Sequence, residues 1–242
     1  MKIRIIICLF IVMFAGACTR RSNNFNSTRS TSNSEVNQQI TTMDDKRPSI
    51  IAVDGESATL SATEIFERYN SAVFMIFTSD GRNNFQGSGF FVNQYGLAVS
   101  NYHVFEGTGI GLESIKLSNG SLYKLKEVIA KSKEYDYIIF QVDILGTCNY
   151  IPIANRSCKV GEKVFTIGSP RGLENTFSSG EISQLRGDYV IQINAPIDHG
   201  SSGGALINEY GEAVGITSSG YDNSGANLNF AIDINVVKHY LQ

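Results

Sequence analysis

A serine hydroxyl, an imidazole and a carboxylate can together cleave an acyl bond, and this sequence carries a candidate for each. Gly200-Ser201-Ser202-Gly203-Gly204 places two adjacent hydroxyls in a glycine-rich loop, where backbone N–H groups can be aimed at a developing oxyanion. A serine is a weak nucleophile until a base takes its proton. The chain has three histidines, His103, His199 and His239. His103 ends the apolar run Ala98-Val99-Ser100-Asn101-Tyr102, where a ring can be held rigidly. His199 adjoins the serines and either lines the rim of a cleft or is simply exposed, and His239 reads as a surface residue near the C-terminus. Asp136 opens the apolar stretch Tyr137–Val142. A carboxylate there needs donors if it is buried, and the Nδ1–H of His103 would be one; a solvated strand-end aspartate fits the same pattern. Spacing alone leaves the nucleophile open between Ser201 and Ser202. No metal and no cofactor is expected for this chemistry.

The elements that must position these groups are mostly strands. Ser61-x-x-Glu64 is a capping box, and Ile65, Phe66 and Tyr69 put an apolar stripe on a short helix ending near Tyr69. Beyond it the period changes to two. Strands are predicted at 72–77, 88–92, 114–117, 122–129, 137–142, 163–167, 176–184, 189–194, 205–207, 213–217 and 228–231, separated by turns such as Asn119-Gly120 and Tyr210-Gly211. A closing helix is predicted at about 235–241. Many short strands and 23 glycines favour an all-β fold of antiparallel barrels over alternating strands and helices.

Three segments in order, Ser100-Asn101-Tyr102-His103-Val104, Asp136-Tyr137-Ile138-Ile139 and Gly200-Ser201-Ser202-Gly203-Gly204, resemble the active-site motifs of trypsin-like serine proteases, and most of all the HtrA/DegP family. The similarity extends to Gly87-Ser88-Gly89-Phe90, 167–173, 179–183 and Asn229-Phe230-Ala231-Ile232, so it runs from about residue 62 to 240. The resemblance implies two packed six-stranded barrels, at about 72–145 and 150–232, with the site in the cleft between them. It implies His103 as general base, Asp136 as its orienting acid and Ser202 as nucleophile. The following glycine pair fixes the serine register through the family pattern. The N–H groups of Gly200 and Ser202 would form the oxyanion hole, at about 3–4 kcal/mol per donor in comparable sites. A substrate pocket would draw on Pro196 and Ile197 at its base and on Asn229, Phe230 and Ala231 along its wall. No acid stands at the basic-specifying position and Asp198 is too near Ser202 to serve, so small aliphatic side chains are the expected preference.

Departures from the pattern matter too. Chymotrypsin-like zymogens carry Asp directly before the nucleophile to receive a newly cut N-terminal amine; Ser201 stands here and cannot form that ion pair. HtrA proteins commonly continue into PDZ domains that capture peptides by strand addition, whereas Gln242 follows the expected closing helix directly. Control is therefore expected in the protease domain, in a partner or in a tether. Homo-oligomerisation is common among the relatives and is carried over as an implication of the resemblance.

The first 17 residues read as a signal peptide, with Lys2 and Arg4 ahead of the apolar run Ile5–Ala17. Those 13 residues span about 20 Å as a helix, short of a hydrocarbon core of about 30 Å. Ala15-x-Ala17 suits an ordinary signal peptidase, while small residues directly before Cys18 resemble a bacterial lipobox, which cuts at the same bond and implies acylation of Cys18 and a lipid anchor, the reading favoured here. Residues 18–57 are polar enough to form a disordered tether, about 30 Å in root-mean-square reach. Cys148 and Cys158 form an even pair in an exported chain, suited to a disulfide or to two separate thiols. A formal net charge of -3 argues against nucleic acid as a partner. The expected protein is a lipid-anchored serine endopeptidase of the bacterial cell envelope, facing the periplasm or exterior, that cuts exposed or unfolded polypeptides in quality control or stress. The alternative is a catalytically silent fold of the same type, used as an anchored binding module.

Overall fold

The structure, a computed structural model, describes residues 58–241 apart from 110, 170, 171, 174 and 221–227, and the backbone alone at 219 and 220. The expected signal peptide, the acylation site Cys18 and the tether at 18–57 lie outside the described residues.

Helix α1, Ala62–Tyr69, starts where its capping box dictates. The Ser61 hydroxyl accepts the N–H of Glu64 at 3.3 Å, and the Glu64 carboxylate accepts the Ser61 N–H at 2.8 Å. Its stripe buries Ile65 and Tyr69. Phe66 stands edge-on to Phe177, with ring centroids 5.7 Å apart.

Seven strands follow: β1 Val73–Ser79, β2 Asn84–Phe91, β3 Leu97–Ser100, β4 Ser114–Leu117, β5 Leu122–Tyr123, β6 Leu125–Ser132 and β7 Tyr137–Val142. They make one antiparallel sheet in the order β5-β4-β1-β2-β3-β7-β6, curled into a half-barrel. The strand foreseen at 122–129 is here two, β5 paired with β4 and β6 with β7, so the stretch around Lys124 spans both edges of the sheet. The Lys124 ammonium reaches the Glu113 carbonyl at 2.5 Å. The next six strands, β8 Lys163–Gly168, β9 Thr176–Arg186, β10 Val190–Ile193, β11 Ala205–Asn208, β12 Ala213–Gly220 and β13 Asn229–Asp233, close into a barrel in the order β10-β13-β12-β11-β8-β9. The whole is a double-barrel arrangement of the kind the resemblance implies.

Alternation explains why so many strands read as continuous apolar runs. Phe74, Phe91, Ile138 and Phe140 point into the first sheet's own core, while their chain neighbours Val73, Phe90, Tyr137 and Ile139 point to the seam between the sheets. Leu206 and Val164 fill the second barrel, and Ala205, Ile207 and Phe165 return to the seam. Both faces are thus buried, each large side chain contributing roughly 1.5–3 kcal/mol. Ile65 and Tyr69 of α1 and Ile234 and Val237 near the C-terminus close the seam core.

The expected closing helix is instead two 3-10 turns, Ile234–Val236 and Lys238–Tyr240. The buried pair Ile234 and Val237 is spaced three apart, which a 3-10 turn places on one side. Two adjacent valines also weaken an α-helical alternative. Among the described residues no helix is long and apolar enough to cross a membrane.

Candidate active site

Strand β3 ends at Ser100 and passes through Asn101, both fully buried, into a 3-10 turn, Tyr102–Val104, that carries His103. Val104 anchors the turn: its carbonyl accepts the Thr78 hydroxyl at 2.9 Å, and its side chain occupies the space a Cβ on Gly87 would take. On the neighbouring strand, Asp136 stands just before β7 with φ +50, a left-handed conformation that costs a non-glycine residue of order 1 kcal/mol. The Asn101 amide donates to the Asp136 carbonyl at 3.0 Å and holds it there.

Three donors meet the Asp136 carboxylate. The His103 backbone N–H reaches Oδ1 at 3.0 Å, the His103 Nδ1 lies 2.9 Å from Oδ2 and 3.1 Å from Oδ1, and the Ser218 hydroxyl donates to Oδ2 at 3.1 Å. With Nδ1 bound as donor, Nε2 is left as the imidazole's accepting nitrogen. His103 is 43% exposed and Asp136 24%, so the pair sits at a cleft wall that solvent and a peptide can reach.

The serine loop joins β10 to β11. Ser201 is 5% exposed, its hydroxyl 3.5 Å from the Asp198 N–H, so it lies inside the loop's own turn. Ser202 is half-buried, and its hydroxyl donates to the Ser218 carbonyl at 2.5 Å. The two serines are thus distinguished by position: Ser202 is the one linked, through Ser218, to Asp136 and His103. Gly203 has φ +89, and a Cβ there would lie 2.0 Å from the Ser88 carbonyl oxygen and 2.3 Å from the Ser100 hydroxyl, so only glycine fits against the first sheet. Gly200 has φ +95. The N–H groups of Gly200 and Ser202 have no acceptor among the described residues, which leaves both able to donate.

Other foreseen residues scatter. Pro196 is exposed and Ile197 half-buried on the approach to the loop. Asn229 is buried and uses its amide on the Ala195 carbonyl at 2.8 Å, while Ala231 is fully buried in the second barrel's core; Phe230 is half-buried. His199 is exposed beside the loop, its N–H on the Asp198 carboxylate, and the His239 ring lies 3.8 Å from that of Tyr240. Cys148 and Cys158 are free thiols in different cores, the half-barrel's and the second barrel's. Burial first, then the nearby Asp233 carboxylate, pushes the Cys158 thiol up to about 11, and burial raises Cys148 as well.

Sequence reasoning missed Ser218. A serine on an alternating strand carries no mark of its own, and its partner lies 82 residues away.

A Trypsin-like peptidase domain matches residues 87–216, more than half of the chain. A probable periplasmic serine endoprotease DegP-like of Buchnera aphidicola is 30% identical over 214 residues, covering 79% of this chain and 45% of that protein. A protein of the same description from Halomonas elongata is 37% identical over 159 residues, covering 62% of this chain and 33% of the relative. The crystal structure of the serine endoprotease from Yersinia pestis superposes with a TM-score of 0.67 at 26% identity, covering 76% of this chain and 67% of that one. The chain spans less than half the length of these curated relatives.

Proposed function

Since this chain belongs to the trypsin-like peptidase family, we propose that it is a serine endopeptidase acting through Ser202, His103 and Asp136. The observation that carries this reading is the convergence of His103 N–H, His103 Nδ1 and the Ser218 hydroxyl on one carboxylate, with Ser202 attached to the same group through the Ser218 carbonyl. In the reaction, the Ser202 hydroxyl turns from Ser218 to Nε2 of His103 and gives up its proton as Oγ attacks the scissile carbonyl carbon. Asp136 stabilises the imidazolium that results. The N–H groups of Gly200 and Ser202 receive the negative oxygen of the tetrahedral intermediate. The imidazolium then protonates the departing amine, and water repeats the sequence on the acyl-enzyme.

Substrates on this reading are exposed or unfolded polypeptides with a small aliphatic residue before the cut, read by the region of Pro196, Ile197 and Phe230. The DegP-like relatives described as periplasmic support export to the cell envelope, and a role in quality control or stress is carried over from the resemblance. Acylation at Cys18 would anchor the chain to a membrane, and self-association is carried over from the same likeness. Mass spectrometry of membrane-extracted protein tests the anchor: a chain beginning at Cys18 with added acyl mass supports it, and an unmodified thiol overturns it.

The catalytic reading is tested on the full chain with casein and a fluorophosphonate probe. Wild type is expected to cleave and to label, and Ser202→Ala to do neither. The resting bond from Ser202 to Ser218 favours one rival, a silent fold that binds polypeptide without cutting it. An unlabelled, inactive wild type that still binds casein would establish that rival.

A further inference from the structure

Three successive carbonyls of the serine loop are each held by a residue outside it. The Gly200 carbonyl accepts the Ser88 hydroxyl at 2.7 Å, the Ser201 carbonyl accepts the Thr217 hydroxyl at 2.7 Å, and the Ser202 carbonyl accepts the Ser88 N–H at 2.8 Å. Ser88 belongs to β2 of the half-barrel and Thr217 to β12 of the second barrel, so the loop is gripped from both sides. Both residues are buried, Ser88 fully and Thr217 to 1% exposure. Ser88 is itself oriented by the Ser169 N–H, which donates to its hydroxyl at 2.9 Å.

A trans peptide is planar, so its C=O and N–H point in opposite directions. Drawing the Ser201 carbonyl inward to Thr217 therefore turns the N–H of the same peptide unit, that of Ser202, outward into the cleft. The Gly204 N–H also reaches the Ser201 carbonyl, at 2.9 Å, but it belongs to the loop and moves with it. Among the described residues, Thr217 is the one partner of that carbonyl fixed in a barrel strand.

We propose that Thr217 is the positioning residue that aims the Ser202 N–H as an oxyanion donor, in a loop that Ser88 holds on its other side. It touches neither substrate nor the reacting atoms, and its effect passes through a peptide plane. The inference rests on the serine-protease reading, because a donor aimed at an oxyanion has consequences only if one forms.

The pair Thr217→Val and Thr217→Ser tests it in the full chain. Valine keeps the shape and removes the hydroxyl, while serine returns it. With a peptide ester substrate, T217V is expected to lower kcat about ten-fold with KM within two-fold, short of the roughly 10²–10³ lost when an oxyanion donor is removed outright. Affinity for a peptide boronate, whose tetrahedral adduct places an oxygen in the same position, should fall by a similar factor, and T217S should restore most of both. A merely structural role would lower the unfolding midpoint and leave kcat per folded molecule and boronate affinity unchanged, and that result overturns the proposal. If T217V does not fold, Thr217→Ala, which removes the same hydroxyl with less bulk, is read by the same split between kcat and KM, with the same result counting against it. Fluorophosphonate labelling of wild type separates the two levels: an unlabelled wild type removes the protease reading and this inference together, whereas a labelled wild type with an unimpaired T217V removes this inference alone.

Discussion

Asp136 holds an unfavourable backbone conformation while accepting three hydrogen bonds on its carboxylate. Asp136→Asn replaces one oxygen by a donor, so Nδ1–H loses its acceptor and the imidazole is driven to the wrong tautomer. A fall in kcat on the order of 10⁴ is expected with little change in circular dichroism, as for the corresponding change in a chymotrypsin-like triad. A second outcome concerns Cys158. Its folded pKa, about 11, stands above the ordinary 9.0, so the stability it contributes is complete below pH 9 and is lost as pH rises from 9 to 11. Urea midpoints should decline across that window, and Cys158→Ala should flatten the decline. At this scale, His103, Asp136 and the serine loop were legible because chemistry-bearing side chains stand out against apolar strands and glycines. Ser88, Ser218 and Thr217 gave no comparable signal. Short hydroxyl side chains are ordinary on strands, and what sets these three apart is a partner between 16 and 112 residues distant.

Helix α1 shows a local rule deciding an element. Both halves of its capping box are made, so Ser61→Ala should cost about 1 kcal/mol. For a folded unit of this size that is a fall of about 2–4 °C in Tm, read by calorimetry. The C-terminal element shows the rule failing. Apolar spacing over 235–241 suits either helix type, and the choice fell to packing, since Ile234 and Val237 must both reach the seam within one three-residue turn. The limits of β4 and β7 could be read from composition because polar turns bound them sharply. The break at Lys124 could not, because it falls where the chain changes partner from β4 to β7, and those partners are distant in sequence.

Across the whole folded unit, the largest apolar cluster belongs to neither sheet alone; it is the seam. Gly203 lies where that seam turns polar, against Ser88 and Ser100. In Gly203→Ala the new methyl would overlap a backbone carbonyl and force a left-handed φ, so both the unfolding midpoint and the activity should drop. Preserved activity at wild-type stability would show that the loop can withdraw from the first sheet. Ser88 binds the loop to that same sheet. The two sheets therefore cannot slide past one another without disturbing the cleft. On the proposed protease reading, heat or denaturant that loosens their contact is expected to lower activity before either sheet loses its strands; activity and far-ultraviolet circular dichroism falling together would count against it. On that reading the fold would carry its own safety catch, a damaged copy ceasing to cut before it comes apart.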